Sequence, residues 1–160
     1  MEIQEPNKRI SMKALTVWRF YGLFHSLAVA AGAVVFSAVT LFLDWSMWLV
    51  LIAVIAVLGY AVVFIYLIPK IRLERWRYEV REQEIELKQG VFIIKRTLIP
   101  MIRVQHVDTV QGPILKKYDL ATITISTAAT LHEIPALEML EADQLRHSIS
   151  MLARVAEDDI

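Results

Sequence analysis

The sequence predicts an α+β membrane protein: a two-helix transmembrane hairpin, then a small antiparallel β-barrel or sandwich capped by one C-terminal α-helix. Three observations predict it. Two long intervals carry no Asp, Glu, Lys or Arg, one between Arg19 and Asp44 and one between Asp44 and Lys70. Between Trp76 and Pro135 short apolar-polar alternations recur, separated by turn residues. From Ala136 to Val155 the apolar spacing lengthens to that of a helix.

Each uncharged interval exceeds the ~20 residues that a helix needs to cross a bilayer core at ~1.5 Å per residue. The excess of apolar residues is concentrated there: the 160-residue chain is 56% hydrophobic, against about 45–50% in ordinary soluble domains. Two spans are expected, about 23–43 and 47–68, inside a hairpin segment 20–69. A cleaved signal peptide fits poorly, because its apolar region is only about 7–15 residues long and a second span follows at once. The link Asp44-Trp45-Ser46 is so short that both chain ends must lie on one side. Lys8, Arg9, Lys13 and Arg19 precede the hairpin, and Lys70, Arg72, Arg75 and Arg77 follow it. The link has no basic residue, so the positive-inside rule places both termini in the cytoplasm. Trp18, Phe20 and Tyr21 at one end, with Trp45 and Trp48 at the other, suit the headgroup belts.

Residues 1–19 are a short cytoplasmic lead, 71–155 a single cytoplasmic domain and 156–160 an acidic tail. Pro69 is expected to break or kink the second helix as it leaves the bilayer. Within the domain, WRYEVRE (76–82) alternates Trp76, Tyr78 and Val80 on one face. EIELKQG (84–90) follows, and Gly90 sits where a hairpin turn needs positive φ. GVFIIKRTLIPM (90–101), RVQHVDTVQ (103–111) and ATITIST (121–127) read as strands, with Gly112-Pro113 and a short helical turn between the last two. LHEIP (131–135) is a strand stopped by Pro135. The closing helix is expected from Ala136, with Leu137, Leu140, Leu145, Ile149 and Leu152 on its inner stripe and Pro135 just before it.

The charge balance excludes some functions. Lys plus Arg and Asp plus Glu both number 17, so no basic face suits nucleic acid. The chain has no cysteine, which removes disulfides, thiolate catalysis and soft metal ligation.

The run RYEVREQEIELKQGVFIIKRTLIPMIRVQHVDTVQGPILKKYDLATITIST, followed by HEIP and a closing helix, resembles the bacterial pleckstrin-homology-like (PH-like) domain. The similarity covers roughly residues 15–155 and is closest to the small branch with two transmembrane helices before one such domain. It implies a strongly bent seven-stranded barrel closed by the C-terminal helix, with no catalytic residues and no cofactor. It also implies association with a larger multi-span protein that carries related domains. The chain departs from many relatives after IST, where AATLHEIP replaces a Gly-rich turn.

Several residues are candidates for a site. His106 and Asp108 share a strand face, and an Asp can orient a His for base catalysis. No nucleophile accompanies them, so a structural pair near a strand end is the plainer reading. His25, His106, His132 and His147 show no zinc spacing. Lys95, Arg96, Arg103, Lys116 and Lys117 are candidate contacts for anionic lipid headgroups. The early turn REQE (81–84) is acidic on balance, which argues against inositol-lipid recognition. Gly22, Ser26, Ala30 and Ala38 in the first span, with Ala53, Ala56 and Gly59 in the second, are candidate helix-packing positions.

The expected function is therefore a non-enzymatic, membrane-anchored interaction module. It would assemble with a partner membrane protein, or with itself, in a cell-envelope role. The alternative is a sensor of anionic lipid or of the membrane surface.

Overall fold

The structure, a computed structural model, describes residues 6–158. The chain divides into two compact units: a helical unit, Leu15–Ile71, and a β-rich unit that joins the N-terminal segment to the chain from Arg72 onward.

In the helical unit α1 (Ala14–Phe42) and α2 (Met47–Val62) are the two expected helices. The hydroxyls of Ser26, Ser37 and Thr40 donate to the carbonyls of Gly22, Ala33 and Phe36, each at 2.8 Å. Each polar group is thereby satisfied within its own helix, as an apolar solvent demands. Asp44 ends α1 in the left-handed conformation, φ 53°. Trp45 N–H then donates to Thr40 O at 2.9 Å and Asp44 N–H to Leu41 O at 3.3 Å, which caps the last carbonyls in a Schellman arrangement.

The helix does not stop at Pro69. It passes through one π turn, Val63–Leu67, into α3 (Ile68–Arg75). Proline has no N–H for the carbonyl four residues back, and its ring presses on that carbonyl. The wide turn relieves the conflict, with Ile68 N–H reaching Val63 O, five residues back. The result is one 29-residue helical rod, Met47–Arg75.

The β unit is a sandwich of two antiparallel sheets and a C-terminal helix. One sheet runs β1 (Lys8–Arg9), β2 (Arg77–Val80), β3 (Glu84–Gln89), β4 (Lys95–Pro100); the other runs β5 (Val104–Val110), β6 (Leu120–Thr127), β7 (Leu131–Glu138). A short helix, α4 (Pro113–Lys117), joins β5 to β6, and α5 (Met139–Asp158) closes the unit. The described strands number seven, and the first precedes the helical hairpin in the chain. Two residues, Lys8 and Arg9, pair with Tyr78 and Arg77; so short a strand leaves no periodic trace. Tyr78, Ile85, Leu87 and Ile99 from the first sheet, with Trp76 just before it, join Ile123, Ile125, Ile134 and Leu137 from the second in a fully buried core. Period-two alternation supplies this: Ile123 and Ile125 point in, while Thr122 and Thr124 are half-buried on the other face.

Three boundaries differ from expectation. Strand β7 does not stop at Pro135. Ile123 pairs with Ile134 and Ala121 with Leu137, so β7 carries an extra residue, and Ala136 takes φ 52°. A bulge tolerates a proline because its missing N–H interrupts no ladder bond. The Ala136 carbonyl instead accepts from Ser11 N–H at 3.2 Å. Helix α5 consequently starts at Met139 rather than Ala136. Leu137 is buried as a strand residue, Leu140 is 73% exposed, and the inner stripe is Ala142, Leu145 and Ile149. Strand β4 starts at Lys95 rather than Gly90, leaving residues 90–94 as a loop. Of the acidic tail 156–160, residues 159 and 160 lie outside the described residues, and the helix continues as far as Asp158.

Candidate functional site

Strand β5 carries His106 and Asp108. A bulge between Val104 and His106 shifts the register, so Val107 and Thr109 turn inward and His106, Asp108 and Val110 outward. Val104 therefore does not share their face as simple alternation predicts. Both polar side chains are exposed and line a shallow recess of about 380 Å³ with Ser150, Ala153 and Arg154 of α5. Among the described residues, no group of three or more His, Asp or Glu is placed to hold a metal ion.

The basic candidates do not gather. Lys95 and Arg96 open β4, whereas Arg103 follows its far end. A six-residue strand separates them, roughly 20 Å at 3.3 Å per residue. Lys116 and Lys117 are exposed at the end of α4, across the length of β5 from Arg103. Arg96 already has a partner. Its Nε donates to Glu86 at 3.1 Å, and Arg81 approaches the other Glu86 oxygen at 3.3 Å. Glu86 is only 6% exposed, and a buried carboxylate is tolerable when paired in this way. Arg81 also binds Glu79 at 2.9 Å and Glu84 at 3.0 Å, which holds its guanidinium above its ordinary pKa, Glu79 contributing most. The acidic REQE turn is thus the closed end of an ion-pair network, a role that its charge pattern alone does not reveal.

A second recess, about 510 Å³, lies where β4 and β5 meet the β6–β7 turn, with Leu98, Ile102, Arg103 and His132 among its lining. His132 bonds Thr130 Oγ1 at 2.8 Å. Burial, and secondarily the charge of Lys95, lower its pKa, so the ring is neutral at physiological pH.

In the helical unit the small residues have unlike surroundings. Gly22 marks the close crossing: a Cβ there would lie 2.5 Å from the Phe64 carbonyl oxygen. Ser26 is buried one turn on. Farther along, Ala30 and Ala38 line an apolar cleft of about 500 Å³ with Val50, Val54, Val57 and Leu58. Ala53 is half-buried, whereas Ala56 and Gly59 are exposed, and a Cβ added at Gly59 would meet nothing within 4 Å.

These features are a transmembrane hairpin joined to a two-sheet sandwich with a closing helix. The family described as Bacterial PH domain matches residues 22–153. The chain belongs to the bacterial PH domain family. It is similar to the UPF0699 transmembrane protein YdbS of Bacillus subtilis (strain 168), at 47% identity over 158 residues, covering 98% of this chain and 99% of that one. It is also 26% identical over 94 residues to the UPF0699 transmembrane protein YdbT of the same organism, covering 55% of this chain but only 19% of YdbT. No solved structure gives a significant match. The protein is thus a bacterial PH-domain membrane protein.

Proposed function

We propose that this bacterial PH-domain protein is a non-enzymatic membrane-anchored module that assembles with a longer membrane protein of its own family, both of its termini being cytoplasmic. One observation carries the reading: a single organism holds both a short relative that this chain matches end to end and a longer one of which it matches about a fifth. A short and a long protein built on one domain type are suited to pair through related surfaces. The outward small residues Ala56 and Gly59 give a second helix room for close approach in the bilayer. The five basic candidates lie at three separate places, Lys95 with Arg96, Arg103, and Lys116 with Lys117, which favours this reading over a sensor that encloses one headgroup in a cationic pocket.

The test is native mass spectrometry of the tagged full-length protein, extracted gently from its host membrane. A stoichiometric complex with a longer bacterial PH-domain protein is expected, and Ala56→Ile should reduce it. Release of the chain alone, or only with lipid, would overturn the reading.

A further inference from the structure

We propose that the β3–β4 loop, Val91–Ile94, is a membrane-insertion element that enters the headgroup–acyl boundary of the bilayer that the same chain spans. Four consecutive apolar residues form this loop, and Phe92 is 86%, Ile93 84% and Ile94 51% exposed. A run of that kind at a hairpin tip is unfavourable in water and marks a surface that is normally covered.

The loop is built to hold those side chains out. Gly90 takes φ 137°, and a Cβ there would collide with the carbonyl of Ile93, so the turn folds back on itself in a form that only glycine allows. The Arg75 guanidinium donates to the Val91 carbonyl at 2.5 Å and ties the loop to the end of α3.

Two observations select lipid as the cover. The first is reach. Arg75 is seven residues beyond Ile68, and seven residues span at most about 25 Å in any conformation. The loop is therefore confined to the neighbourhood of the membrane surface, whatever the arrangement of the two units. The second is charge. The stem below the apolar tip is basic: Lys88 stands opposite Arg96, and Lys95 opposite Gln89, with Arg75 beside them. The carboxylate of Glu86 on the same hairpin is already paired with Arg81 and Arg96. An apolar tip above a collar of Lys and Arg matches the acyl boundary under an anionic headgroup layer.

The absence of native cysteine makes the test direct. Ile93→Cys and, as a control in the other turn of the same sheet, Gln83→Cys are labelled with an environment-sensitive fluorophore. The full-length protein is reconstituted in vesicles of phosphatidylglycerol and phosphatidylethanolamine. At position 93, blue-shifted emission, loss of signal to acyl-chain nitroxides and protection from iodide are expected; at position 83, the reverse. Free access of iodide to position 93 would overturn the proposal. Protection from both quenchers would overturn it too, in favour of a protein cover. Neither result depends on whether a longer partner is present.

Discussion

Ile123, Ile125, Ile134 and Leu137 of the sandwich are fully buried, whereas Val34, Leu51, Ile52 and Leu58 of the helical unit are exposed. The residue types are the same, and the difference is the solvent that each unit faces. The β unit has an inside because alternation gives each strand one apolar face, and water drives those faces together. The helices are apolar all round, and hydrocarbon gives them no reason to hide those side chains. The loop 91–94 belongs to the β unit by chain and contact, yet its surface resembles that of the helices.

The largest effect should come from truncating the same side chain in each unit. Ile125→Ala leaves a cavity under the sheet and should cost about 2–5 kcal/mol. Ile52→Ala removes a similar volume from an exposed position and should change stability little, since lipid fills the space. Thermal unfolding of the purified protein in lipid nanodiscs, with hydrogen exchange at β6 amides, checks both. Equal losses would show that the helical unit is packed like the sandwich.

A smaller contrast separates two glycines within the membrane. Gly22→Val should destabilise the hairpin by about 2–3 kcal/mol, because the added atoms meet the Phe64 backbone rather than a side chain that can swing away. Gly59→Val, facing open space, should be close to neutral or stabilising within the helix. The thermal midpoints of the two variants decide it. Similar shifts would remove Gly22 from its special place at the crossing.

Much of this is legible in the sequence, and the failures have a common cause. The uncharged intervals, the alternation of ATITIST and the PH-like pattern are signals spread over many residues, so local accidents do not hide them. Single-residue events mislead. Pro135 looks like a stop and Pro69 like a break or kink, but a bulge and a π turn absorb them. The bulge depends on a neighbouring strand and on Ser11, which no local window of sequence contains. The π turn depends on one widened hydrogen bond, Ile68 N–H to Val63 O, that proline placement alone does not specify. The run Val91–Ile94 reads as strand because β-branched residues favour strands, yet the backbone of Gly90 turns it into a loop tip. The candidate cations stand out by type, and type says nothing of a partner: Arg96 is held by Glu86, four residues before Gly90. Lys8-Arg9 is too short to carry a period at all.

The smallest effect concerns the bond that joins sheet to closing helix. Tyr78 is fully buried, and its hydroxyl donates to Glu141 Oε1 at 2.7 Å in the first turn of α5. Burial first, and then this bond, push the phenol pKa far above its ordinary value near 10. The fold therefore holds the neutral phenol. The folded-state pKa is the higher one, so this contribution is complete below about pH 10 and is lost as pH rises toward the folded value. Tyr78→Phe should cost about 1–2 kcal/mol at neutral pH, because Glu141 loses a donor while the ring still packs. The gap in thermal midpoint between the native chain and the variant should be constant from neutral pH to about pH 9 and shrink above pH 10. A gap that stayed unchanged well above pH 10 would show that the Tyr78 proton does not govern the contact. In the helical unit the hydroxyls of Ser26, Ser37 and Thr40 bond within their own helix, and an aliphatic hydroxyl does not titrate, so none of these three makes such a pH-dependent link.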